Sequence, residues 1–265
     1  MNKNYLIVGN PVEHSLSPKI HNFWFDENNI NSVYKKETLT ENMLGNLVKK
    51  IKEGDISGAN VTVPFKQKII PFLDKLSDLA KKTQSVNTLY KEDNLVIGDN
   101  TDVYGFSQSI LNQNISLKNK DALIVGAGGV VPSVITALED LSIKKIYIKN
   151  RTQEKLLKLK ETFTNINSLE WDQEIDCNIV INATSLGLKP DDQISLNFDN
   201  LKNKIIFYDT IYNPPVTNFL KNAKEKGHVI INGKLMLLLQ AQKAFEIWTG
   251  INPKIDKNFL NYLND

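Results

Sequence analysis

The sequence predicts an α/β protein of two domains, on three observations. Strand-like and helix-like stretches alternate along the chain, the pattern of largely parallel sheets crossed by helices. They do so in two series, the second beginning near Asp121, with no fixed-period repeat and no low-complexity linker. The length of 265 residues is at the upper edge for one hydrophobic core and comfortable for two.

In the first series, YLIVGN is a short apolar strand. SPKIHNFWFDEN is a helix with Ser17 as N-cap and Pro18 in its first turn. SVYKKETL is an alternating strand, and ENMLGNLVKKIKEG a helix closed by Gly54. Residues 59–63, with β-branched Val61, Thr62 and Val63, form a strand whose ladder Pro64 stops, since proline has no N–H to donate. In FKQKIIPFLDKL, apolar Phe65, Ile69, Phe72, Leu73 and Leu76 predict a helix with Lys66 in its first turn. VNTLYKEDNLVIGDNTD is hairpin-like, with its turn at Glu92, Asp93 and Asn94.

In the second series ALIVGAGG is a strand running into a glycine turn, followed by the helix VVPSVITAL. KKIYIKNR, NIVINATS, KIIFYDTIY and HVIING are further strands, separated by helical patterns such as TQEKLLKLKETF and VTNFLKNAKEKG. KLMLLLQAQKAFEIW is a strongly apolar helix, and a short helix ends the chain. These last two are free to pack back on the first domain.

Composition narrows the partners. A hydrophobic share of 41%, a charged share of 23% and a net charge of +2 are ordinary globular values without the basic footprint of a nucleic-acid binder. The single Cys177 excludes an internal disulfide, and His14, His21 and His228 lack metal-ligand spacing, so no metal site is expected. Residues 122–138 carry no charge, but Gly126, Gly128, Gly129 and Pro132 interrupt them. With no basic leader at MNKNYLIVGNP, the expectation is a soluble cytoplasmic protein without a membrane partner.

The turn in LIVGAGGVV sits between an apolar strand and a helix, as a Rossmann dinucleotide turn requires. Gly126 allows the tight bend and Gly128 a close approach of backbone to a pyrophosphate, while the third position is Val131 rather than glycine. The next strand ends at Arg151, where an NAD site would present a carboxylate; a guanidinium suits a 2′-phosphate, so NADP is the expected cofactor.

A nicotinamide enzyme that reduces a carbonyl needs a proton donor for the developing alkoxide. No tyrosine in this chain is followed four positions later by lysine, the short-chain dehydrogenase solution. Lysine remains. An ammonium at a helix N-terminus is disfavoured by about 0.3–1 kcal/mol unless an anion compensates, so Lys66 is either a solvated surface lysine or paired. Asp102 in GDNTDVYGF is a candidate anion, with a helix N-cap as its alternative role.

Taken in order, GNPVEHSLSP, GANVTVPFK, SVNTL, GDNTD, GAGG, NRT, NATSLG, YDTIYNPPVT and GKLMLLLQA make the chain resemble the shikimate dehydrogenase family over nearly its whole length. The resemblance implies a mainly parallel α/β substrate domain over residues 1–102, with 238–265 packing back on it. It implies a Rossmann-type NADP domain over 103–237 and an active site in the cleft between the two. The implied reaction is reversible NADPH-dependent reduction of 3-dehydroshikimate to shikimate, a step of aromatic biosynthesis, in a monomer or homodimer.

By motif, the resemblance makes Lys66 and Asp102 the catalytic pair. Ser15 and Ser17 would bind the substrate carboxylate, although Ser17 could merely cap its helix; Asn60, Thr62, Asn87 and Gln240 would bind ring hydroxyls, and Tyr212 would reach the substrate. NADP would be held by Gly126, Ala127, Gly128, Gly129, Val130, Asn150, Arg151, Thr152, Thr184, Ser185, Ile211 and Gly233. Two departures concern Val103, where the family usually has glycine, and the valines and proline of GGVVPS. The alternatives are an NAD-using quinate/shikimate dehydrogenase and a ligand-sensing protein that has lost turnover.

Overall fold

The computed structural model describes residues 3–196 and 204–264. The chain forms two compact units, Met1–Gly105 with Leu238–Asp265, and Phe106–Leu237.

The first unit begins with β1 (Lys3–Gly9), α1 (Ser17–Glu27), β2 (Ser32–Thr38), α2 (Leu44–Glu53) and β3 (Gly58–Val61). It continues through β4 (Lys75–Leu76), α3 (Asp78–Thr83), β5 (Thr88–Glu92) and β6 (Leu95–Asp99) to the start of α4 (Asp102–Leu111). Its sheet runs in the order β2-β1-β3-β5-β6-β4. β1 pairs in parallel with β2 and β3, and β4 with β6, whereas β5 is antiparallel to both β3 and β6. The β5–β6 hairpin turns through Asp93 and Asn94, both at positive φ (49° and 65°), the backbone a tight two-residue hairpin demands. Val8, Leu44, Ile51, Val86, Leu89 and Val96 form the core on one face.

The chain ends in α8 (Lys234–Thr249) and α9 (Lys257–Asn264). Within the first unit, Trp248 Nε1 donates to the Leu89 carbonyl at 3.0 Å and Trp24 Nε1 to that of Lys254 at 3.3 Å. Phe245 packs against Trp24 and Phe25.

Three local expectations need correction. The segment after Pro64 is not a helix: it is a run of turns, a single 3₁₀ turn at Ile70–Phe72, and β4. Pro71 lacks an N–H and its ring would clash with the carbonyl four residues earlier, so the apolar spacing could not become a helix; Phe72 is exposed. The strand expected at 59–63 ends at Val61. Ser17 is the first helical residue rather than the N-cap; Leu16 occupies the cap without a side-chain bond, and the Ser17 amide is satisfied by Ser15 Oγ at 3.2 Å.

The second unit contains β7 (Asp121–Val125), α5 (Val131–Asp140), β8 (Lys145–Lys149), α6 (Gln153–Thr162), β9 (Ile166–Ser168), β10 (Ile179–Asn182), β11 (Ile206–Asp209), α7 (Asn218–Glu225) and β12 (Val229–Ile231). Its sheet, β12-β11-β10-β7-β8-β9, is parallel throughout, the doubly wound Rossmann order. β7 and β10 are the neighbours where the strand order reverses, and ligands of such sheets bind outside the carboxyl ends of these strands. Gly126 follows β7 directly and Thr184 lies two residues beyond β10. Among the described residues no helix is long and apolar enough to cross a membrane.

Candidate active site

Lys66 needs no helix to be held. Val86 N donates to its carbonyl at 2.8 Å, and Phe65, 3% exposed, anchors the turn beside it. Its Nζ stands 2.5 Å from Asp102 Oδ2. The side chains are 12% and 8% exposed, which separates this pair from the other, solvent-facing lysine ion pairs of the described residues. Asp102 is the first residue of α4, where the helix dipole favours a carboxylate. The capping bond at this helix start comes instead from Asn100 Oδ1, which accepts from Val103 N at 3.2 Å. Asp102 is therefore available to Lys66.

Asn60, Asn87 and Gln240, three of the other polar residues expected on this side, form a connected wall. Asn60 Nδ2 donates to the Asn87 carbonyl (3.0 Å) and to Thr88 Oγ1 (3.1 Å), and its Oδ1 accepts from the Tyr34 hydroxyl (2.6 Å). Asn87 Nδ2 donates to Thr101 Oγ1 at 2.9 Å and to Gln240 Oε1 at 3.3 Å, while Asn87 Oδ1 accepts from Thr101 N at 2.8 Å. Ser15 Oγ donates to Ser17 Oγ at 3.2 Å. Thr62 stands outside this network, its methyl group against Gly9. The expected residues omitted Tyr34, Thr88 and Thr101, which are buried and bonded into the same wall. Thr101 lies within GDNTD, whereas nothing near Tyr34 in sequence indicates its partner.

The residues expected at the cofactor belong to the second unit. Gly126 has φ +114°, and a Cβ there would lie 2.8 Å from the Ala183 carbonyl oxygen. Gly128 is different: it is exposed, and a Cβ would meet only that oxygen at 3.7 Å, an ordinary contact. Packing does not require glycine there, which fits a ligand that does. Ala127, Gly129 and Val130 are half-buried, and Val130 precedes α5 without giving it a side-chain cap. Asn150 Nδ2 donates to the Thr152 carbonyl at 2.8 Å. Arg151 is exposed and makes no ion pair among the described residues, as a receptor for an added phosphate requires.

Buried Asp209 ties the remaining loops together. It accepts from Asn182 Nδ2 (3.0 Å), Ile211 N (3.0 Å) and Thr217 Oγ1 (2.6 Å). Burial raises its pKa, and these three donors oppose the rise. Asn182 Oδ1 also accepts from Thr184 Oγ1 at 2.7 Å, so one polar cluster sets both the Thr184–Ser185 turn and the backbone at Ile211. Gly233 donates its N–H to the Ile211 carbonyl at 3.0 Å, and a Cβ on it would lie 2.2 Å from the Thr210 oxygen. Tyr212 is half-buried and lies in this unit, with the residues expected at the cofactor.

No histidine hydrogen-bonds into these clusters among the described residues. His14 is exposed, and His21 is fully buried with no hydrogen-bond partner, its pKa pushed down to about 3 by burial. Burial also lowers His228. Among the described residues no group of three or more His, Cys, Asp or Glu is placed to hold a metal ion.

Comparison with known proteins gives one family throughout. Residues 7–89 match the shikimate dehydrogenase substrate binding domain, and residues 107–188 match shikimate / quinate 5-dehydrogenase. The shikimate dehydrogenase (NADP(+)) of Pelagibacter ubique is 50% identical over 264 residues, 100% of each chain. The crystal structure of shikimate dehydrogenase from Aquifex aeolicus superposes with a TM-score of 0.90 at 35% identity, covering 100% of this chain and 98% of that one. The Thermus thermophilus enzyme, solved in complex with NADP(H) and shikimate, gives 0.89 at 29% identity over 99% of this chain and 98% of its own. Identity of this extent, along both units and without a gap in coverage, means that the chain belongs to the shikimate dehydrogenase family.

Proposed function

We propose that this protein catalyses the reversible NADPH-dependent reduction of 3-dehydroshikimate to shikimate. The observation that carries the reading is the secluded Lys66–Asp102 pair beside a wall of side-chain amides and hydroxyls. NADPH, when bound, supplies the hydride that the carbonyl carbon receives. Lys66 holds its ammonium proton at Nζ and gives it to the carbonyl oxygen as charge develops there, which both neutralises and stabilises that oxygen. Asp102 keeps the Lys66 amine aimed and balances its charge before the transfer. In the oxidative direction the neutral Lys66 amine takes the hydroxyl proton back.

Ser15 and Ser17 offer hydroxyls to the substrate carboxylate, and Asn60, Thr62, Asn87, Gln240 and Tyr212 recognise the ring. Gly128 admits the cofactor's pyrophosphate. Exposed Arg151 receives the 2′-phosphate, flanked by Asn150 and Thr152. The test is oxidation of shikimate and of quinate by the purified protein, each with NADP and with NAD. Turnover with shikimate and NADP above the other three combinations is expected. Preference for quinate or NAD would replace this reading with the quinate/shikimate alternative, and no turnover with any pair would leave a sensing role.

A further inference from the structure

We infer that Tyr34 is a positioning residue for substrate recognition, its phenol holding Asn60 Oδ1 and so steadying the hydrogen bonds that run through Asn60 to Asn87 and Gln240. The inference rests on the shikimate dehydrogenase reading above. Tyr34 lies on β2 and is 1% exposed. Asn22 clamps its backbone from both sides, Oδ1 accepting from Tyr34 N at 2.8 Å and Nδ2 donating to Tyr34 O at 3.0 Å. Its ring stacks on His21 with centroids 4.4 Å apart and planes 7° from parallel. The hydroxyl is thereby delivered to Asn60 Oδ1 at 2.6 Å.

The polarity follows from one group that has no choice. A backbone carbonyl only accepts, so the side of Asn60 facing the Asn87 carbonyl must be Nδ2. Oδ1 then faces Tyr34, and the phenol must donate. Asn60 Nδ2 also donates to Thr88 Oγ1, Thr88 Oγ1 donates to Asn87 Oδ1 at 3.1 Å, the Thr101 N–H donates to the same oxygen at 2.8 Å, and Asn87 Nδ2 therefore points at Thr101 and Gln240. Every donor in the run Tyr34, Asn60, Thr88, Asn87 points the same way. Burial raises the phenol's pKa, and a contact from the Ser17 hydroxyl opposes part of that rise. Both nitrogens of His21 lack partners, so its contribution is the flat surface that fixes the ring.

Tyr34→Phe keeps the ring and its stack while removing the hydroxyl, and Thr88→Val cuts the run one step further on. Each should weaken shikimate binding by about fivefold to a hundredfold, the effect of leaving one buried Asn60 group unpaired, Oδ1 in the first variant and an Nδ2 hydrogen in the second, with kcat changing far less and the KM for NADP unchanged. The double variant should match the worse single one, because both interrupt one run. Shikimate affinity within twofold of wild type in Tyr34→Phe would overturn the inference and leave the phenol as core. If Tyr34→Phe does not fold, the same result in Thr88→Val overturns it. A wild-type protein without shikimate turnover would instead sink the underlying reading, so the two failures are distinguishable.

Discussion

Gly9 and Thr62 approach so closely that a Cβ on Gly9 would lie 2.5 Å from Thr62 Cγ2 and 3.1 Å from the Val63 carbonyl oxygen. β1 and the turn after β3 can lie side by side only because position 9 has no side chain. The bond from Thr62 N to the Val8 carbonyl, 2.9 Å long, holds them there. Gly9→Ala must push Thr62 aside, at an overpacking cost of about 1–3 kcal/mol. The expected outcome is a lowered melting temperature together with a raised KM for shikimate. A raised KM absent while the melting temperature falls would remove Thr62 from substrate recognition.

The two glycines after β7 should separate fold from ligand. Gly126→Ala forces a left-handed backbone on alanine and a carbonyl contact at 2.8 Å, so stability should fall by an amount on the order of 1–3 kcal/mol. Gly128→Ala meets nothing closer than 3.7 Å and should melt with wild type. Its NADP affinity should nevertheless fall by roughly tenfold or more, since a methyl group would stand where the backbone approaches the pyrophosphate. Unchanged affinity in calorimetric titration would mean that the cofactor does not approach Gly128.

His21 gives a pH dependence of stability. Its pKa in the folded protein, about 3, lies below the ordinary value, so between the two the unfolded chain binds more protons. The contribution is fully present above about pH 6.5 and is lost as pH falls towards 3, by up to about 1.4 kcal/mol per pH unit. Asp209, raised by burial, acts in the opposite sense and cancels when wild type is compared with His21→Phe at each pH. The stability difference between the two should shift steadily in favour of the variant on acidification. Parallel curves would show that His21 does not titrate in this window.

The sequence was legible where a local rule decides the outcome. Gly54 caps α2 in the left-handed conformation, and Asp93 and Asn94 make the hairpin turn, because each position admits few residues. The glycine turn stands directly after β7, at the strand-to-helix position that the sequence pattern indicates. The apolar spacing around Lys66 predicts a helix that Pro71 in its middle prevents. The pairing of Lys66 with Asp102 did not depend on that helix. Least legible was Tyr34, since its bond to Asn60 arises from strand register and from a ring wedged against His21. Residues 26 apart carry no local signal of such a contact.

The central claim is that Lys66 donates the proton, with Asp102 acting as part of the same unit. General acid catalysis of this kind contributes about 10²–10⁴-fold, and the interaction strengthens mainly in the transition state. The most direct measurement is turnover of Lys66→Ala at saturating NADPH and 3-dehydroshikimate, with melting curves to verify folding. Asp102→Asn and the double variant complete a cycle in which the losses should not add. The account predicts that kcat of Lys66→Ala falls by roughly 10²-fold or more while substrate affinity changes much less. A folded Lys66→Ala protein turning over within about threefold of wild type, far below that acid–base contribution, would contradict it.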